Sequence, residues 1–144
     1  MPRKKEYRVG FTGTREGLTF LQRRTLKELV KRITEGSDVL EHDIVFLHGS
    51  AVGADSSFHV MCLGHRREVY PSTRTKKVLS GMKTIVRPAR PSLERNRNIV
   101  DSSDMVIACP KKDAEGGGTV FTMGYAIETG VRLVVILYDG SMHG

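Results

Sequence analysis

Apolar residues in this chain fall into short runs separated by longer periodic stretches. Tyr7, Val9 and Phe11 alternate with polar or small positions, the period-two pattern of a strand. From Thr19 the period lengthens. Leu26, Leu29, Val30 and Ile33 form one stripe at helical spacing, Thr19 and Gln22 stand at capping-box spacing, and Gly36 suits the carboxyl end. Ile44 to Leu47 is a continuous apolar run, as in a strand covered on both faces. A second helix is expected over Ala54 to Gly64. Short strands are expected near Glu68 to Tyr70 and over Thr84 to Val86, where Arg87, Pro88 and Pro91 end the run. Ser92 suits a helix cap, with Glu94 in the first turn and an end near Ser102. Met105 to Cys109 and Leu133 to Leu137 read as buried strands, and between them Thr119 to Glu128 reads as a helix closed by Gly130.

The order β-α-β-α-β-β-α-β-α-β predicts an α/β fold of the Rossmann-like, doubly wound kind, a mostly parallel sheet with helices on both faces. One domain over residues 1–144 is expected, with a loose basic tail at 1–6 and a loose end at 139–144.

Glycines mark three loops of this pattern. The first strand ends in Gly13-Thr14-Arg15, the second in Gly49-Ser50 followed by Gly53-Ala54-Asp55, and the strand at Met105 to Cys109 leads to Gly116-Gly117-Gly118-Thr119. In a parallel sheet all three emerge at the carboxyl edge, where doubly wound folds bind ligands. Two run straight into helices, whose free N–H groups and dipole favour an anion. Arg15 is a candidate phosphate or carboxylate clamp, or a solvated surface arginine. Asp55 either caps the second helix or holds a ribose hydroxyl. Arg95 and Asn96 belong to an unusually polar helix start, and Asn96 shares a face with Leu93 and Val100. His48, at the end of a buried strand, is an acid–base candidate or a hydrogen-bonded structural residue. Asp55 and His59 lie four residues apart on one helix face, but two residues do not make a metal site, and no cofactor is implied.

The net charge of +7, from 23 Lys and Arg against 16 Asp and Glu, would attract nucleic acid and phosphorylated metabolites alike. Arg74, Lys76, Lys77 and Lys83 concentrate part of it in the turn-rich connection from Pro71 to Lys83. Aromatic content is only 6% with no Trp, so stacking platforms for bases are not evident. Cys62 and Cys109 lie in apolar segments and read as buried reduced thiols. No apolar run approaches the ~20 residues of a membrane span, and the start does not resemble a secretory signal. A cytoplasmic protein with no membrane partner is expected.

The ordered set Thr12 to Arg15, His48 to Asp55, Glu94-Arg95-Asn96-Arg97, Asp104 to Pro110, and Gly118-Thr119 with Thr122, Tyr125 and Ala126 resembles the SLOG superfamily. That superfamily takes in the Rossmann-like fold of the DNA-processing protein A and LONELY GUY families, and the chain is most similar to its small stand-alone bacterial and phage members. The resemblance implies a phosphate-and-ribose pocket at the carboxyl edge and self-association. It also implies one of three activities: phosphoribohydrolysis of nucleoside monophosphates, binding of single-stranded DNA, or sensing of nucleotide-derived signals. The hydrolases carry a catalytic Glu three residues after their Gly-Thr, and here that position is Thr122. A hydroxyl can neither stabilise an oxocarbenium ion by charge nor activate water as a carboxylate does. Asp55, Glu94, Asp101 and Glu115 are the candidate substitutes. The expectation is a nucleotide-binding or sensing protein, with a nucleotide N-glycosidase and a nucleic-acid binder as alternatives.

Overall fold

The structure, a computed structural model, describes residues 5–36 and 42–144. These form β1 (Lys5–Gly13), α1 (Phe20–Glu35), β2 (His42–His48), α2 (Ala54–Met61), β3 (Arg66–Val69), β4 (Thr84–Val86), α3 (Ser92–Asp101), β5 (Met105–Cys109), α4 (Gly118–Thr129), β6 (Arg132–Ile136) and β7 (Met142–His143). One seven-stranded sheet runs in the order β4-β3-β2-β1-β5-β6-β7. Every neighbouring pair is parallel except β6 with β7. The fold is α/β and Rossmann-like. Because β1 pairs with β2 on one side and β5 on the other, the chain reverses its direction of winding there. A crevice opens at such a switch point.

Alternation along the strands decides which helix covers which face. Val9, Phe11, Phe46 and Ile107 point toward Leu26 and Val30 of α1 and Phe58 of α2. The rings of Phe11 and Phe58 stack at 4.3 Å. The opposite face of β2 offers Val45 and Leu47 to Ile99 of α3, and Val106 of β5 packs with Val100 and Ala126. Full burial of one such ring or branched side chain contributes about 1.5–3 kcal/mol.

The expected capping box is present. Gln22 N–H donates to Thr19 Oγ1 at 3.0 Å, and Thr19 N–H donates to Gln22 Oε1 at 3.1 Å. The same Gln22 amide donates to the carbonyls of Pro110 and Ile136, which ties the start of α1 to the ends of β5 and β6. Cys62 and Cys109 are buried and free. No helix among the described residues is long and apolar enough to cross a membrane.

Several expected boundaries are corrected. Lys5 and Glu6, expected in a loose tail, already pair with His42 and Asp43. The end expected to be loose contains β7, with His143 opposite Val135, and Thr25 donates to Gly140 O at 2.7 Å. Ser92 is the first residue of α3 rather than its cap, a position held by Pro91 without a side-chain bond. β3 begins at Arg66 because its charged residues are spent internally: Arg67 donates to the carbonyls of His59 and Met82. Glu68 accepts from Arg8 and Arg87. Burial raises the Glu68 carboxyl, and those guanidinium bonds outweigh it, leaving it at about 2.

Candidate functional site

The carboxyl ends of β1, β2 and β5 are stitched together by backbone bonds before any side chain is considered. Thr14 N–H donates to Cys109 O at 3.1 Å, and Thr14 O accepts from Ala54 N–H at 3.0 Å. Gly53 makes the second contact possible. Its φ is +83°, and a Cβ there would collide with the carbonyl of Arg15. The β1 and β2 loops therefore lie one against the other.

Two buried charged residues shape the β2 loop. Asp55 Oδ2 accepts from Gly49 N–H at 3.2 Å and Ala51 N–H at 2.9 Å. Its Oδ1 accepts no hydrogen bond among the described residues, although the side chain is 95% buried and lines the cleft. Arg95, on α3, donates from Nη1 to the carbonyls of Gly49 at 2.6 Å and Tyr70 at 3.1 Å, and from Nε to Asn96 Oδ1 at 2.7 Å. Gly49 is required at this point, since a Cβ would overlap the guanidinium. Burial pushes the Asp55 carboxyl up to about 6 against the opposing pull of the Ala51 and Gly49 N–H groups and of Arg95 and Arg15. Burial also lowers Arg95, and Asp55 partly restores it.

The β5 loop completes the cleft. Gly117 precedes α4 with φ +92° and ψ −177°, a conformation essentially confined to glycine. It turns the first N–H groups of α4 to an open edge, an arrangement that favours an anion. Thr122 is buried one turn later and donates to Gly118 O at 2.7 Å.

Together these elements enclose a cleft of about 480 Å³. It brings together Gly13, Thr14, Arg15, Gly49, Asp55, Arg95, Asn96, Gly116, Gly117, Gly118, Thr119 and Thr122 of the residues expected from sequence. Ser50 and Gly53 do not line it. Ser50, at φ +58°, instead accepts Leu79 N–H and donates to Lys77 O, gripping the connection between β3 and β4. Of the candidate carboxylates only Asp55 reaches the cleft. Glu94 lies 3.9 Å from Arg90, Asp101 accepts from Tyr125 Oη at 2.8 Å, and Glu115 is exposed away from the lining. Lining residues that sequence reading did not assign to a ligand site include Glu16, Arg74 and Lys111. The basic run from Arg74 to Lys83 was the available signal for Arg74, read as charge for nucleic acid.

His48 is a structural histidine. Its Nδ1 accepts Ser50 N–H at 3.0 Å, so its Nε2 donates to His59 Nδ1 at 2.7 Å, and His59 Nε2 then donates to Ser80 O at 3.0 Å. This chain requires both rings neutral. Burial, with His59 and two arginines nearby, lowers His48 to about 3. No group of three or more residues able to hold a metal ion occurs among the described residues.

A larger hollow of about 700 Å³ lies at the amino edge, around β2, β3 and β4. Its cations are already engaged: Arg66 with Glu6, Lys83 with Gly64 O, and Arg67 with two backbone carbonyls. It offers less to an anionic ligand than the carboxyl-edge cleft.

No protein-family model matches the chain, and no curated protein matches it. Among solved structures it is similar to the X-ray structure of TM1055, a Northeast Structural Genomics Consortium target. The identity is 12% and the TM-score 0.56, covering 88% of this chain and 72% of that one. At that identity the likeness shows the fold alone.

Proposed function

We propose that the protein binds a nucleotide or nucleotide-derived ligand in the carboxyl-edge cleft and acts as a sensor of it. The observation that carries this reading is the shared cleft itself. One concave surface at the switch point holds the amino end of α4, the unpaired Arg15 guanidinium and the open Oδ1 of Asp55. Phosphate at the helix end and a ribose hydroxyl on Asp55 match those groups in charge and donor sense. The ordered motifs shared with the SLOG superfamily support the same ligand class. Thr122 favours binding over turnover, because its hydroxyl is committed to Gly118 O and offers no carboxylate. Isothermal calorimetry against nucleoside mono- and diphosphates, ADP-ribose and cyclic dinucleotides is expected to find a saturable one-to-one ligand. Absence of heat with every member would remove the proposal.

One observation favours a second reading, N-glycosidic hydrolysis. Asp55 is a buried cleft carboxylate held near 6, the range suited to acid–base work. Incubation with nucleoside monophosphates and detection of free base separates the two readings, and no base release is expected. Self-association is supported by α4, whose Ile127 is 69% exposed and whose half-buried Val120, Phe121 and Met123 leave no fully polar face. Sedimentation at micromolar concentration is expected to show a species heavier than 16.0 kDa.

A further inference from the structure

The connection between β3 and β4 is fixed in place although it contains no regular element from 70 to 83. Thr73 N–H donates to Arg90 O at 3.0 Å and Arg90 N–H to Pro71 O at 3.2 Å. Ser72 N–H donates to Thr75 Oγ1 at 2.9 Å, closing a tight turn around Arg74, whose own N–H donates to Ser72 Oγ at 3.2 Å. Farther on, Ser50 grips Lys77 and Leu79, and His59 holds Ser80 O. These hydrogen bonds fix the segment that carries Arg74 to the cleft.

The charge of the lining is uneven. Arg15, Arg74, Arg95 and Lys111 face only Glu16 and Asp55. Arg95 is spent on backbone carbonyls and Asn96, and Lys111 stands 3.9 Å from Glu16. The guanidinium groups of Arg15 and Arg74 make no hydrogen bond or ion pair among the described residues. They also stand over different strands. Arg15 follows β1 and Arg74 follows β3, with β2 and its Asp55 between them in the sheet. Two strand spacings of about 4.8 Å set the carboxyl ends of β1 and β3, beyond which these two residues lie, roughly 10 Å apart. An adjacent pair of phosphates is shorter than that separation, whereas a nucleoside with a phosphate on each side of its ribose spans it.

We infer that the cleft takes a nucleotide bearing anionic groups on both sides of the ribose, and that Arg74 is the residue that selects for the second one. The inference rests on the nucleotide reading of the cleft. In it the 5′-phosphate meets Arg15 and the amino end of α4, the ribose lies over Asp55, and the 3′-phosphate meets Arg74. A free nucleoside 3′,5′-bisphosphate and a nucleotide within a single strand share this chemistry. The volume of about 480 Å³ fits the free ligand, within the range of about 300–1,000 Å³ usual for small-molecule pockets.

The test is calorimetry with adenosine 5′-monophosphate, adenosine 5′-diphosphate, adenosine 3′,5′-bisphosphate and a five-nucleotide oligoadenylate, on the wild type, Arg74→Gln and Arg74→Lys. The expected wild-type result is bisphosphate binding about tenfold tighter than monophosphate, the size of one charge-assisted contact. The diphosphate should gain less than the bisphosphate. Arg74→Gln should bring the bisphosphate-to-monophosphate ratio near one, and Arg74→Lys should keep part of it. The oligoadenylate should bind no tighter than the free bisphosphate, and tighter binding would reassign the source to a strand and overturn the small-ligand inference. A ratio near one in the wild type, a ratio unchanged in Arg74→Gln, or a diphosphate preferred to the bisphosphate overturns the inference while leaving the nucleotide site standing. If the wild type binds none of the four probes, the inference falls, and the nucleotide reading falls with it once ADP-ribose and the cyclic dinucleotides also give no heat.

Discussion

At the scale of single residues, Asp55 and Arg95 set the behaviour of the cleft. Asp55 is an acid whose folded value, about 6, exceeds the unfolded value of about 3.9. The folded state therefore holds a proton between pH 4 and 6 that the unfolded chain has released. The stability this confers is complete below pH 4 and is lost as pH rises through 6. Relative to Asp55→Asn, which keeps a side-chain oxygen acceptor for Gly49 and Ala51, the wild type should lose about 2–3 kcal/mol between pH 4 and 7. Urea denaturation of both proteins at the two pH values checks this, and parallel curves would contradict it. Arg95→Ala should cost about 3 kcal/mol, because it strips the donors from two buried carbonyls, Gly49 O and Tyr70 O. Arg95→Lys should recover only part of that loss, since an ammonium lacks the planar fork. The readout is the denaturation midpoint of each variant.

Elements raise a different issue, the geometry of the loops that join them. Gly117 sits where a Cβ is strained even though nothing crowds it. Gly117→Ala should cost about 1–3 kcal/mol and weaken ligand binding by turning the start of α4. Gly116→Ala next to it, with no positive φ and open space around its Cβ position, should be close to neutral. Thermal melts of the two variants test the contrast. The helices and inner strands were legible because each shows its period: the Leu26 and Val30 stripe, the apolar run at Ile44, the alternation at Val9 and Phe11. β7 was not, because two exposed residues, Met142 and His143, are too short a run to show a period. The same reasoning explains the site. Glycines that widen a loop are visible in sequence, so most of the lining was placed. Whether a polar side chain faces the cleft or the backbone is not visible, so Ser50 was expected at the cleft but holds Lys77 and Leu79, and Arg74 stood out only as charge for nucleic acid.

The whole molecule joins these pieces through one sheet. β7 and the turn before it secure α1: Thr19 Oγ1 donates to Tyr138 O at 2.7 Å and Thr25 Oγ1 to Gly140 O at 2.7 Å. Truncation after Leu137 should therefore cost about 2 kcal/mol, measured as a loss of melting temperature, whereas a loose tail would cost nothing. The molecule's central property is that three loops from β1, β2 and β5 converge on one cleft rather than on the larger hollow at the amino edge. Amide chemical-shift mapping during titration with adenosine 5′-monophosphate and adenosine 3′,5′-bisphosphate tests that most directly. The account predicts saturable shifts concentrated at residues 13–16, 49–55, 95–96 and 116–119, with residue 74 added for the bisphosphate, and the amino-edge residues around His65 and Thr84 unmoved. Shifts centred on the amino edge, or none with either nucleotide, would contradict it.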